Sequence, residues 1–220
     1  MRGRLITVCG LIGSGKSTFT SDLSDLINGV PLSEPAGDDR NPYLPLFYED
    51  RERWAFTMQV HLLHHRNAVH QRALEEMHCG RDVVMDSSVW QDMAYADMLY
   101  RDGLMTKEEY QTYLSIASLI ERQTLVPDVC IFLKVPLHEC YARIQYRMDF
   151  CDEARTCEST ITHSYLDSLE SSILKRIEPL QQKVFFPWGD YLPSKENRVA
   201  RIRNLWSLTE DLDTHVALRN

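Results

Sequence analysis

The sequence is poor in the features that mark several large protein classes. No apolar run in its 220 residues approaches the roughly 20 that cross a bilayer, so no membrane-spanning helix is expected. Positive charge is in deficit. The 24 Lys and Arg against 32 Asp and Glu leave a formal charge of −8, which argues against a general nucleic-acid binder, because gripping a phosphate backbone needs a basic surface. The six cysteines (Cys9, Cys79, Cys130, Cys140, Cys151 and Cys157) contain no Cys-x-x-Cys pair and no short His/Cys ligand spacing. They read as reduced thiols of a cytoplasmic protein, not as a disulfide framework. There is no internal repeat and no low-complexity linker, and with the first strand beginning by Leu5 no presequence is expected ahead of it. What remains is a chain with 44% hydrophobic residues, enough for one α/β domain over 1–220 with a sizeable core.

The apolar pattern alternates between strand and helix. Leu5–Cys9, closed by glycine, reads as a buried strand of a parallel sheet, and Ser17–Ile27 has helical spacing that stops at Asn28-Gly29. Val30–Ser33 is a short second strand that delivers Glu34-Pro35. Residues 51–78 keep helical periodicity for about seven turns, and Asp82–Asp86 is a third strand. Helices follow near 91–101 and 106–124, then a fourth strand over Asp128–Val135 and a helix opened by Pro136. Residues 148–163 are polar and aperiodic, a lid-like loop. A helix over Ser164–Arg176, a fifth strand over Val184–Trp188 and a terminal helix over 197–208 complete the chain. Alternating strands and helices predict a five-stranded parallel sheet with helices on both faces.

The run Gly10-Leu11-Ile12-Gly13-Ser14-Gly15-Lys16-Ser17-Thr18 carries the chemistry most plainly. Glycines in this spacing let consecutive backbone N–H groups turn inward onto phosphate oxygens. Lys16 reaches the β- and γ-phosphates of ATP, Ser17 ligates Mg²⁺, and the following helix adds the partial positive charge of its N-terminus. The motif follows a strand and opens a helix, the context a P-loop NTPase fold requires. No Asn-Lys-x-Asp run for reading guanine is present, and the chain is too short for most motor ATPases. A small-molecule kinase fits this size best.

Further blocks, in order, resemble the deoxynucleoside kinase family, in its cytosine/purine branch. They are Glu34-Pro35, the stretch Tyr48-Glu49-Asp50-Arg51-Glu52-Arg53-Trp54-Ala55-Phe56-Thr57-Met58-Gln59, the stretch Asp86-Ser87-Ser88-Val89-Trp90-Gln91-Asp92, and Arg143, Arg147, Arg155 and Glu158. The resemblance runs from about residue 5 to about residue 176. It implies phosphorylation of a deoxynucleoside 5′-hydroxyl, with Glu34 as the base that takes the hydroxyl proton. Gln59, Arg66 and Asp92 would address the nucleobase, and Tyr48 with Glu158 the sugar 3′-hydroxyl. Asp86 joins Ser17 at the metal, and Arg143, Arg147 and Arg155 surround the transferring phosphoryl group. Family members are commonly homodimers through helix packing.

The residues themselves leave some choices open. Gln59 and Arg66, seven positions apart, share a helix face, and Gln59 sits among apolar neighbours, where a carboxamide needs partners. Asp92 either reads an exocyclic amino group, orients Arg66 or caps a helix. Phe47, Trp54 and Phe56 are either pocket walls or plain core. Asp86-Ser87-Ser88 departs from the family pattern of acidic-Arg-Ser. Either Arg155, Arg122 or another lid residue replaces that arginine, or the chain is a weak or structural relative. A monophosphate kinase of the thymidylate kinase type is the other enzymatic reading, with Arg40, Arg51 or Arg53 available for an acceptor phosphate.

Overall fold

A computed structural model describes residues 2–33, 41–150, 158–189 and 194–217, with side chains described as far as residue 207. In chain order the elements are β1 (Leu5–Gly10), α1 (Lys16–Ile27), β2 (Val30–Leu32), α2 (Tyr43–Glu49), α3 (Arg51–His78), β3 (Val83–Asp86) and α4 (Val89–Arg101). There follow α5 (Lys107–Gln123), β4 (Val129–Lys134), α6 (Leu137–Phe150), α7 (His163–Ile177), β5 (Lys183–Pro187) and α8 (Lys195–Ala217).

The five strands form one parallel sheet in the order β2-β3-β1-β4-β5. Period-two alternation sends neighbouring residues to opposite faces. Leu5, Leu32, Val83 and Met85 pack with Val69, Ala73 and Met77 of α3. Ile6, Val8 and Val84 enter the larger cluster with Phe19 and Leu23 of α1 and Ile202 and Trp206 of α8. β1 is buried at every residue, as expected for a central strand covered on both faces. Its central place sets the site, because the loop leaving its C-terminal end lies between the ends of β3 and β4. Register pairs Val8 with Asp86 and Gly10 with Leu133.

Helix starts follow local capping chemistry. Asp50 accepts from the Arg53 amide at 3.0 Å to begin α3, and Ser88 Oγ accepts from the Gln91 amide at 3.3 Å to begin α4. Thr106 and Glu109 form a reciprocal capping box at α5. The predicted elements stand, with shifted ends. The fifth strand ends at Pro187 rather than Trp188, although the Trp188 amide still donates to Lys134 O at 3.0 Å. The terminal helix runs to Ala217 instead of stopping at 208. α2 was not expected: it is only 7 residues long and carries Pro45, tolerated in a first turn because no helical partner exists there for the missing N–H. The expected lid over 148–163 overlaps helix at both ends, since α6 continues to Phe150 and α7 begins at His163. Residues 151–157, with Arg155, lie outside the described residues, as does Glu34. Among the described residues no helix is long and apolar enough to cross a membrane.

Candidate active site

The phosphate loop joins β1 to α1 at the C-terminal edge of the sheet. Gly13 and Gly15 have φ of 77° and 86°, a region that side chains with a Cβ rarely occupy. A Cβ on Gly13 would lie 2.5 Å from Cys140 O, and one on Gly15 would lie 3.1 Å from Trp188 Nε1. The cradle is therefore a shape only glycine permits. Lys16 Nζ donates to Gly10 O at 3.1 Å and Leu11 O at 2.9 Å, folding the ammonium back over its own loop. Burial lowers the Lys16 ammonium below its ordinary pKa, and the Asp86 charge opposes that shift. Ser14 is buried, and its hydroxyl has no partner among the described residues. Thr18 is exposed in the first turn of α1.

At the end of β3, Asp86 Oδ2 accepts from Ser17 Oγ at 2.6 Å. A hydroxyl and a carboxylate oxygen at the mouth of a phosphate cradle are the hard donors that suit Mg²⁺, so the residues present fit both a nucleoside triphosphate and its metal. Gln91, on the first turn of α4, reaches back to accept from the Gly10 amide at 3.0 Å. Its place in the Asp86–Asp92 block was visible in the sequence, but its loop-holding role was not.

The two helix-borne arginines part company. Arg143 Nη1 donates to Ser14 O at 3.3 Å and Gly13 O at 3.5 Å. Its Nη2 donates to Gly189 O at 2.7 Å, Glu139 at 3.2 Å and Trp188 O at 3.4 Å. It thus straps the phosphate loop to the segment after β5. Arg147 instead pairs with the buried Glu158. Arg122 is exposed in the last turn of α5.

A second buried polar cluster is built from α3 and α4. Arg66 Nε and Nη2 donate to the two oxygens of Asp92 at 2.8 and 3.3 Å, and both side chains are buried. Burial pushes the Asp92 carboxyl up, and the adjacent guanidinium pulls it back. Asp92 does not cap α4, because Ser88 does. Two turns before Arg66 on α3, Gln59 is 1% exposed, and neither its Oε1 nor its Nε2 has a partner among the described residues. A buried carboxamide with all its hydrogen-bonding capacity unmet asks for a ligand edge carrying both a donor and an acceptor.

Tyr48, Glu158 and Tyr165 lie near the buried Tyr95. Burial raises the Tyr95 phenol well above its ordinary pKa, and Tyr165, Tyr48, Asp92 and Glu158 raise it further. Sequence reasoning missed Tyr95. Arg51 it considered only as a phosphate ligand, yet Nη2 of Arg51 donates to Thr160 Oγ1 at 2.6 Å. Its guanidinium lies 5.1 to 5.7 Å from the ring centres of Phe47, Tyr48 and Tyr165. Phe47 is core, and Trp54 tilts against Tyr43 at 5.8 Å.

The family model for deoxynucleoside kinase matches residues 6–189. A deoxyguanosine kinase of Dictyostelium discoideum is 31% identical over 193 residues, covering 86% of this chain and 65% of that relative, so the chain spans about two thirds of its length. A deoxyadenosine/deoxycytidine kinase of Bacillus subtilis is 32% identical over 173 residues, covering 77% of this chain and 75% of that protein. The solved structure of deoxyadenosine kinase from M. mycoides with bound dCTP superposes with a TM-score of 0.74 at 20% identity, over 92% of this chain and 98% of that one, a likeness of fold. With a matched model that covers most of its length, the chain belongs to the deoxynucleoside kinase family.

Proposed function

We propose that this protein transfers the γ-phosphoryl group of ATP to the 5′-hydroxyl of a deoxynucleoside, favouring purine bases or cytosine over thymine. The observation that carries this reading is the buried Arg66–Asp92 pair beside the unpartnered Gln59 carboxamide. An ionised carboxylate only accepts hydrogen bonds, so it favours a base edge that offers an exocyclic amino group, which thymine lacks.

Mg²⁺ held by Ser17 and Asp86 would neutralise charge on the β- and γ-phosphates. The chain's own residues do the remainder. The loop amides and Lys16 orient the donor, and Arg143 steadies the loop from behind. Arg147 and Arg155 bring positive charge to the transfer, Tyr48 and Glu158 hold the sugar, and Glu34 accepts the hydroxyl proton. The monophosphate-kinase reading is less well supported, because Arg51 is committed to Thr160 and three rings.

The test is to offer the purified protein ATP with deoxyadenosine, deoxyguanosine, deoxycytidine and thymidine, and in parallel with their monophosphates. New monophosphate from the first three is the expected product on anion-exchange chromatography. Diphosphate formed only from monophosphates would overturn the reading, and so would ATP binding without turnover.

A further inference from the structure

Arg66 does more than meet Asp92. Its Nη1 donates to the main-chain oxygen of Asp86 at 2.9 Å, while Nε and Nη2 serve the Asp92 carboxylate. One buried guanidinium therefore joins the α4 carboxylate to the last residue of β3, and the Asp86 side chain in turn accepts from Ser17 at 2.6 Å. The next residue, Ser87, has φ of 71°, a left-handed backbone that strains a residue with a Cβ. Its amide donates to Val8 O at 2.8 Å. The Asp86–Ser87 peptide is thus pinned at both ends, its oxygen by Arg66 and its N–H by β1. Turning that peptide over would relax Ser87. It would also break both bonds, loosening the end of β3 that presents the Asp86 carboxylate to Ser17.

We infer that Arg66 is a positioning residue for Asp86: by holding the Asp86 carbonyl it keeps the strained Asp86–Ser87 peptide in place and the metal-binding carboxylate on Ser17, so occupancy of the Asp92 end and metal retention at the Ser17 end support each other. The identity of the two ligands rests on the proposed function. Only arginine suits this place, because its planar fork serves two acceptors in different directions, whereas a lysine ammonium is a single point charge. Linkage then requires reciprocity, with each ligand strengthening the other by the same factor.

The experiment reads metal dependence without turnover. ATP binding to the full chain is titrated by calorimetry over a series of Mg²⁺ concentrations with no nucleoside present. Arg66→Lys is expected to raise the Mg²⁺ concentration for half-maximal ATP binding about tenfold, a typical coupling factor. Adding Ser87→Gly to it, which makes positive φ free of strain, should bring the requirement back to within about threefold of the native value. Ser87→Val in the otherwise native chain, which makes that φ costlier, should mimic Arg66→Lys and serves as the test if the arginine variant does not fold.

In a second arm, 2′,5′-dideoxyadenosine, which keeps the 3′-hydroxyl but lacks the 5′-hydroxyl, should lower the Mg²⁺ requirement of the native chain but not of Arg66→Lys. A native Mg²⁺ requirement in Arg66→Lys or in Ser87→Val would overturn the positioning role, as would failure of Ser87→Gly to rescue. If only the nucleoside arm fails, the linkage and the acceptor assignment fall while the hold of Arg66 on Asp86 stands.

Discussion

Ser17 Oγ donates to Asp86 Oδ2 at 2.6 Å, which ties the first turn of α1 to the last residue of β3. Neither side chain belongs to the hydrophobic core, so their value lies in the oxygens they present. Asp86→Asn keeps the shape and removes the charge. It should lower kcat about a hundredfold or more, since a bound metal supplies several kcal/mol of charge neutralisation in the transition state. Steady-state rates over a range of Mg²⁺, beside a thermal melt that shifts little, check this.

The Arg66–Asp92 pair makes a prediction about stability as well as selectivity. Asp92→Ala alone strands a guanidinium whose side chain is 0% exposed, and should cost about 3–5 kcal/mol. Asp92→Ala with Arg66→Met removes both charges and should recover much of that loss, while shifting the substrate profile towards thymidine. Urea melts of the two variants and competition between deoxynucleosides read the two effects separately. A double variant no more stable than the single one would count against the pair.

Gln59 should trade stability against binding. Gln59→Leu replaces an unsatisfied buried amide with an apolar group of similar size, so the free protein should gain about 1–3 kcal/mol. The same change should raise the nucleoside KM at least tenfold, about 1.4 kcal/mol of lost contact. Denaturant midpoints without ligand, set beside the KM for the preferred nucleoside, test both halves.

His70 gives the fold a pH dependence of known sign. It is buried on α3 with its Nε2 unpartnered among the described residues, and burial pulls its imidazole down to about 3, with the Arg66 charge adding to the effect. Between its ordinary value of 6.5 and about 3 the unfolded chain binds a proton that the folded chain refuses. Stability therefore falls as pH drops through that window, by about 1.4 kcal/mol per pH unit. In His70→Leu the melting temperature should vary less between pH 6 and pH 4 than in the native protein, by about the contribution of one such group.

Glu34 follows β2 and lies outside the described residues. Glu34→Gln should leave ATP binding intact and reduce turnover about a hundredfold, the scale of a general base. Unchanged turnover would remove it from the mechanism.

Much of this was legible in the residues. Continuous apolar runs marked β1 and β4 because both faces of those strands are covered, and the loop motif marked its own place because strand and helix flank it. Spacing put Gln59 and Arg66 on one side of α3, where both are buried. Other features were invisible for physical reasons. α2 is too short and too interrupted by proline to show a period. The grip of Gln91 on Gly10 spans 81 positions and depends on strand order, which periodicity does not encode. Arg143 and Arg147 share a helix face, yet their long side chains diverge, one to carbonyls of the phosphate loop and the other to Glu158. The positive φ of Ser87 had no sequence signal, since serine is not a residue that advertises it.

Gln91 and Asp92 are chain neighbours, but the first steadies the phosphate loop through the Gly10 amide while the second pairs with Arg66. An engineer who recasts α4 to change base preference would thereby disturb the triphosphate grip. Redesign has more freedom at Gln59 of α3, whose amide is tied to nothing else among the described residues, than at Arg66 of the same helix, which also holds the Asp86 carbonyl.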